Sequence, residues 1–188
     1  YAEAQTLSGS AKLGLGPLTL GIDAMGIDRL VNITHPTNPA FSIGSLERVA
    51  QSRWGGFAEL AGRLGDWRAD LGMRIDRHRA SMAAPLVGPA VPAMIANLAR
   101  ATGAALTPRQ DTTWDLVARL WHDGGTIDPR LTLSCKSRIA NAVERFSWLP
   151  TEASGGLADG NIYIGNPALD PEVAWAAEGG LDIDLGAV

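Results

Sequence analysis

The 188-residue chain has the length of a single domain with one hydrophobic core, and 46% of its residues are hydrophobic and 19% charged. This composition excludes a largely disordered protein, and the net charge of -4 argues against a nucleic-acid-binding domain, which normally carries a basic excess. The single Cys135 excludes an internal disulfide. The chain begins at Tyr1 without an initiator Met and has no signal sequence, which indicates a processed, trimmed or partial chain and leaves its compartment undecided.

Residues 7–33 alternate between apolar residues and small or polar ones, the period of two that predicts β-strands. Leu13 and Leu15 alternate with glycines, and the pattern resumes after Pro17. Glycine-rich strands have a weakly fixed register and pair readily with another chain. We therefore expect residues 1–44 to form an extended arm whose strands build a small sheet.

From Ser45 onward the apolar residues recur at three- and four-residue spacings, which predicts an amphipathic helix reaching Leu71. The apolar stripe consists of Leu46, Val49, Ala50, Phe57, Leu60, Ala61, Leu64 and Leu71. Two consecutive glycines, Gly55 and Gly56, lie inside this segment and predict a kink or a close contact with a neighbouring backbone.

Residues 80–99 are all uncharged, and we expect the chain to be organised around them. Pro85, Pro89 and Pro92 interrupt the stretch, which predicts a buried, kinked connector followed by a short helix from Pro92 to Gly103. The prolines and the Ala/Gly-rich composition argue against a membrane span here.

Two further helices are predicted. Thr107 and Gln110 have the spacing of a capping box, which places a helix from there to about Asp123. Asp128 precedes a proline and opens the second helix, which stops before residue 150. With a short turn between them they form a helical hairpin. Residues 45–149 are therefore predicted as a helical body, and the fold as mainly α (α+β) with four to five helices.

Residues 150–188 contain seven acidic residues and no Lys or Arg. We interpret them as an acidic tail of the same domain. Alternation predicts a short strand over residues 161–164, Asp170 opens a brief helix, and Leu181, Ile183 and Leu185 form a final strand.

Few residues suit catalysis or metal binding. His35, His78 and His122 are far apart in sequence, so no metal site and no cofactor are predicted. Nucleophile motifs, phosphate loops and dinucleotide fingerprints are absent from the sequence. The one local constellation is His122 with Asp123 and Asp128, a candidate catalytic group for a small helical hydrolase with tryptophans lining its cleft. The sequence leans toward a non-enzymatic protein.

The uneven charge provides the main functional hypothesis. Arg74, Arg77 and Arg79 form the most basic patch, and Asp182 and Asp184 lie in the acidic tail. We expect the two groups to meet, either within one chain or between copies, as assembly contacts. The favoured interpretation is a soluble structural subunit that self-associates into a shell, tail or filament of the virion type. The alternatives are the hydrolase and a nucleic-acid-binding protein that uses residues 74–79.

Overall fold

One antiparallel sheet of seven strands dominates the computed structural model, which describes residues 1–149 and 164–186. Each strand pairs with the next along the chain. The strands are β1 (Ala2–Leu15), β2 (Leu18–His35), β3 (Asn38–Leu64), β4 (Trp67–Ser81), β5 (Arg109–His122), β6 (Ile127–Arg138) and β7 (Glu172–Ile183). Helices α1 (Ala93–Ala105) and α2 (Ala142–Phe146) lie in the connections that follow β4 and β6. The predicted mainly helical fold is therefore wrong.

The two ends of the sheet differ in their connections. At one end, the turn end, tight turns join β1 to β2 and β3 to β4, with Gly16 and Gly65 both at φ 61°, where glycine carries no steric penalty. A short loop over residues 123–126 joins β5 to β6 at the same end. The opposite end, the loop end, holds both helices and their long connections. The hairpin of β2 and β3 also turns there, at residues 36–37.

The buried apolar core lies at the loop end. It consists of Ile43, Leu46, Val49, Ala80, Met82, Val91, Ala99, Ala142, Phe146, Trp148 and Leu149. The indole N–H of Trp148 donates to the carbonyl of Gly44 at 3.1 Å, so the polar atom of this buried ring is satisfied. The predicted buried connector over residues 80–99 is confirmed only in part, because Ala80, Met82, Val91 and Ala99 belong to this core whereas Leu86 and Met94 are exposed. Helix α1 confirms the predicted short helix.

The predicted helix over residues 45–71 is wrong, because this segment forms most of β3 and the start of β4. Along β3, small residues such as Gly56, Ala58 and Gly62 occupy the same face as Leu60. They weakened the alternating signal, and the remaining large apolar residues fell by chance at helical spacings. The paired glycines produce no helix kink.

The two helices predicted after Thr107 are wrong as well, because β5 and β6 occupy most of those residues. The large apolar residues in this segment lie on both faces of one strand: Trp114 and Ala118 point to one side, and Val117 and Trp121 to the other. A capping box does form, but at α2. The Asn141 side chain accepts from the amide of Glu144 at 3.0 Å, and the Glu144 carboxylate accepts from the Asn141 amide at 2.7 Å.

The predicted strands at both ends of the chain are confirmed. The alternation over residues 7–33 corresponds to β1 and β2, and the C-terminal alternation to the end of β7. The brief helix predicted at Asp170 is wrong, because β7 begins at Glu172. The strand predicted over residues 161–164 lies outside the described residues apart from Ile164. None of the helices in the described parts of the chain is long and apolar enough to cross a membrane.

Candidate functional site

The two faces of the sheet carry opposite chemistry. The strand register aligns Leu60, Leu71, Ala118, Leu133 and Ala177 in one row across β3 to β7, so alternation in neighbouring strands is in phase. One face is formed by alternate residues of seven segments, and the first residue of each segment lies on this face. The segments are 7–15, 18–26, 54–64, 67–75, 114–120, 129–135 and 173–183. None of these side chains is charged. We call this the apolar face, and the opposite one the polar face.

The apolar face is open over its whole width. At its centre Leu71 is 54% exposed and Leu133 is 48% exposed, and both helices of the described chain lie away from it at the loop end. Monomeric soluble proteins rarely expose a contiguous apolar surface that reaches across an entire sheet. The face therefore requires contact with an apolar phase or an apolar partner.

Tryptophans mark the loop-end margin of the apolar face. Trp54 lies opposite Arg77 in the β3–β4 register, and Trp114 and Trp175 pack edge to face with ring centroids 6.0 Å apart. Beyond them the same side of the sheet becomes polar. Arg77 there donates to the Gln110 side chain at 2.9 Å. Aromatic rings with one polar atom suit such a boundary between apolar and aqueous surroundings.

A network of four charged side chains joins three strands on the polar face. Arg74 on β4 donates through two nitrogens to the Asp23 carboxylate on β2, at 2.7 and 2.9 Å. Its Nε donates to Asp76 at 2.6 Å. Arg53 on β3 donates to Asp23 at 2.8 Å. Two guanidinium groups and two carboxylates alternate, so the network is neutral and its bidentate pairs fix the side chains in place.

Gly55 makes the close packing of this network possible. A Cβ atom at this position would lie 2.1 Å from Nη2 of Arg74 and 2.2 Å from Oδ1 of Asp76. Both distances are far shorter than van der Waals contact, so the two side chains occupy the space that any larger residue would need.

A second charged group lies on the polar face near the loop end. Arg145 of α2 is fully buried and donates through Nη2 to Asp111 at 2.8 Å and to the carbonyl of Leu169 at 3.0 Å. Asp111 also accepts from Arg109 at 2.9 Å. Burial alone would raise the pKa of Asp111, but the hydrogen bonds from Arg145 and Arg109 outweigh it and hold the pKa below its ordinary value. Asp111 is therefore a carboxylate at neutral pH.

His78 neighbours this group on β4 and contacts the Thr113 hydroxyl at 3.1 Å. Burial lowers the pKa of His78, although Asp76 and Asp111 act in the opposite direction. At neutral pH its imidazole is therefore mainly uncharged.

The predicted catalytic candidates lie at the turn end. His122 contacts the Asp128 carboxylate at 2.7 Å, and the amide of Gly125 donates to the same oxygen at 2.9 Å. Asp123 instead forms an ion pair with Arg68. The structure thus joins His122 to Asp128 and separates both from Asp123. A catalytic role for these residues stays a prediction. Among the described residues no group of three or more His, Cys, Asp or Glu side chains is placed to hold a metal.

The predicted assembly contacts lie apart in the described chain. Arg74 belongs to the polar-face network, whereas Arg77 and Arg79 lie on the other side of β4, beyond the tryptophan margin. Asp182 pairs with Arg130 at 3.1 Å. The Asp184 carboxylate accepts from the Gly186 amide at 2.9 Å. Contact between these groups in different copies is not tested by one chain and stays a prediction.

Sequence reasoning missed Asp23, Arg53, Asp111 and Arg145. A signal was present in β4, where Arg68, Asp70, Arg74 and Asp76 alternate with the apolar residues Trp67, Ala69, Leu71, Met73 and Ile75. Period-two alternation of charge is typical of a strand with one polar face.

Comparison with known proteins agrees with this architecture. A family model described as "TonB dependent receptor-like, beta-barrel" matches residues 3–188. The chain belongs to this family. Among solved structures it is similar to the "Copper transporter OprC", with a TM-score of 0.63 and 17% sequence identity over 97% of this chain and 28% of that one. The chain thus spans less than a third of the length of that protein, and the likeness concerns the fold. No curated protein matches the sequence.

Family membership overturns the functional interpretation drawn from the sequence. A structural subunit of a shell, tail or filament of the virion type is wrong, because the chain is a receptor-like β-barrel segment. The helical hydrolase and the nucleic-acid-binding alternatives are replaced for the same reason. The prediction of a soluble protein rested on the composition, which does not reveal that the apolar residues lie on one open face.

Proposed function

We propose that this chain forms part of a β-barrel that spans an outer membrane, in a receptor that takes up its ligand with TonB. The apolar face would contact lipid, and the polar face would line the interior of the barrel. The observation that carries the proposal is the uncharged apolar face shared by seven strands and backed by a charged one. Membrane β-barrels have this alternation of apolar residues outside and polar residues inside.

The extent of the apolar face fits a bilayer. In β3 it reaches from Trp54 to Leu64, ten residue steps, or about 34 Å along the strand at about 3.4 Å per residue. Strands in such barrels tilt by about 40°, which reduces this length to about 26 Å across the membrane, close to the band of about 25 Å that outer-membrane barrels present. The tryptophan margin would then lie at the membrane surface.

The two sheet edges support a larger barrel. Among the described strands, β1 pairs only with β2, and β7 only with β6. Unpaired backbone groups are not tolerated in hydrocarbon, so an open edge is unstable in a bilayer. We therefore infer that both edges pair with further strands in the assembled receptor. The match to only 28% of the solved copper transporter supports a barrel with more strands than this chain supplies.

The family description supports a proposal for the partner, whereas the solved structure supports none for the ligand. The family description names TonB, and we propose TonB as the partner of the whole receptor in place of self-association. The copper named for the solved relative is not proposed as the ligand here, because 17% identity supports a common fold and does not extend to a ligand.

A pair of adjacent substitutions in β6 tests the proposal. Leu133 lies at the centre of the apolar face, and Thr132 points to the polar face. Leu133→Arg should destabilise the inserted barrel by about 2–4 kcal/mol, because an arginine would be exposed to lipid near the membrane centre. Thr132→Arg adds the same charge to the interior and should be tolerated.

The readout is the amount of folded receptor in purified outer membranes, followed by its heat-dependent mobility in gel electrophoresis. Loss of the Leu133→Arg protein beside normal levels of the Thr132→Arg protein would support the proposal. Equal levels of both variants would refute the assignment of the apolar face to lipid.

A further inference from the structure

A cavity of about 200 Å³ lies on the polar face at the loop end, between β2, β3 and β4 and the segment that leads into α2. We propose that this cavity binds a small oxyanion, a carboxylate or phosphate group. Its lining includes Met25, Gln51, Arg53, His78 and Arg145. We call it the arginine cavity.

The first observation is the incomplete bonding of Arg145. This side chain is 1% exposed, and its Nη2 already donates to Asp111 and to a backbone carbonyl. Its Nε and Nη1 are buried and have no hydrogen-bond partner among residues 1–149 and 164–186. Buried donors of a charged group are rarely left unpaired, because each then forfeits its hydration without replacement. An oxyanion in the cavity would supply the missing acceptor.

The second observation is the sign of the charge around the cavity. No acidic residue lines it, and its titratable residues are Arg53, His78, Arg79 and Arg145. The positive charge comes from Arg53 and Arg145, because His78 is mainly uncharged at neutral pH and Arg79 lies on the other side of β4. The carboxylates that pair with two of these arginines, Asp23 and Asp111, are not part of the lining.

Four other cavities in the described part of the chain differ from it. One of the four is lined only by uncharged residues, and three mix acidic with basic residues. The arginine cavity therefore combines unused buried donors with a wall that has no negative charge. This combination is suited to an oxyanion, which guanidinium groups bind through charge-assisted hydrogen bonds.

The size of the cavity limits the ligand. Pockets for drug-sized molecules occupy about 300–1,000 Å³, so the arginine cavity accommodates one small oxyanion or one acidic arm of a larger molecule. The inference goes beyond the proposed function, because binding of an anion depends neither on lipid contact nor on TonB.

The test is titration calorimetry of the whole receptor, folded in a neutral detergent, with two probes: sodium phosphate and sodium citrate. Sodium chloride of equal ionic strength gives the baseline. Met25→Trp should fill the cavity without altering any charge. The double variant Asp111→Asn with Arg145→Gln removes the central donor and its partner together. Arg119→Gln is the matched control, since it removes a positive charge from the polar face outside the cavity.

The expected result is saturable binding of at least one probe. The Met25→Trp and double variants should weaken it about tenfold or more, equivalent to about 1.4 kcal/mol, and the control should bind like the wild type. The identity of the probe that binds shows whether the cavity prefers a phosphate or a carboxylate group. The proposal is overturned if neither probe binds, or if Met25→Trp leaves the affinity unchanged. If the double variant does not fold, the Met25→Trp result alone decides whether the cavity binds the anion. Absence of anion binding would not affect the test of the lipid-facing surface with Leu133→Arg.

Discussion

Replacement of Gly55 by alanine should destabilise the barrel, although alanine is ordinarily the better strand residue. The new Cβ would lie 2.1 Å from Nη2 of Arg74 and 2.2 Å from Oδ1 of Asp76. Both atoms are the ends of side chains, so the strand can stay in place while the guanidinium group moves away. Gly56 is the matched control, because the nearest atom to its Cβ would be 3.8 Å away.

The magnitude follows from the bonds that Arg74 would lose. Displacement of Nη2 removes its contacts with Asp23 and Asp76, and hydrogen bonds to charged groups contribute about 1.5–3 kcal/mol each. The Arg74 side chain is about a quarter exposed, so hydrogen bonds to water replace part of the lost stabilisation. The remaining loss is about 1–3 kcal/mol. Removal of a strand glycine returns about 0.5–1 kcal/mol. Gly55→Ala should therefore lower stability by about 1 kcal/mol, and by at most about 2.5 kcal/mol, whereas Gly56→Ala should raise it slightly.

Guanidinium titration of the whole receptor in detergent, followed by tryptophan fluorescence, gives the free energy of unfolding of each variant. Comparison of Gly55→Ala with Gly56→Ala in an Arg74→Gln background tests whether displacement of Arg74 causes the loss of stability. Loss of Arg74 frees the space of Nη2 and also releases the Asp76 carboxylate, which Arg74 holds near Gly55 through two hydrogen bonds. The carboxylate can then turn away from the methyl group, so Gly55→Ala should lose most of its effect there. A similar loss of stability in both backgrounds, or equal effects of the two glycine substitutions, would refute the reasoning.

Three further outcomes are expected. Because the pKa of Asp111 is lowered by folding, its stabilisation is present above the ordinary value of 3.8 and is lost as pH falls through the folded value. Asp111→Asn should therefore flatten the acid side of a melting-temperature profile, and an unchanged acid slope would contradict this. In vesicles with brominated lipids, a variant retaining only Trp54 should be quenched and one retaining only Trp148 should not, since these rings are 69% and 2% exposed. Equal quenching would argue against the tryptophan margin. Asn141→Ala should cost about 1 kcal/mol in a denaturant titration through loss of the α2 cap, and Asn141→Asp should restore it. No effect of the alanine would show that the cap is dispensable.

The strands that were predictable are those whose alternation includes large residues. In β1 and β2, Leu13, Leu15, Leu18 and Leu20 point to the apolar face, and the period of two is visible in the sequence. In β3 the same face is occupied partly by glycine and alanine, which a search for large apolar residues passes over. Packing against lipid tails requires no particular residue volume, whereas a close-packed protein core does. A lipid-facing strand can therefore carry a weak periodic signal.

The candidate sites were hidden for a different reason. The basic run in β4 drew attention to Arg74, but Asp23 lies 51 residues earlier and reaches it only through the register of two hairpins. Arg145 depends on tertiary structure even more, since its burial and its missing partners appear only when the connection after β6 folds over the sheet. No local spacing in the sequence encodes either contact.

In the proposed setting, the location of the hydrophobic core follows from the change of solvent along the molecule. Where strands cross the bilayer, lipid is the apolar phase, so apolar side chains can remain outside and the charged network of Asp23 and Arg74 lies inside. Beyond the tryptophan margin the chain meets water, and the ordinary arrangement returns: Phe146, Trp148 and Leu149 are buried there. The same preference of apolar side chains for an apolar phase therefore produces opposite arrangements in the two regions. What separates them in the sequence is the phase of the alternation, which composition and net charge do not record.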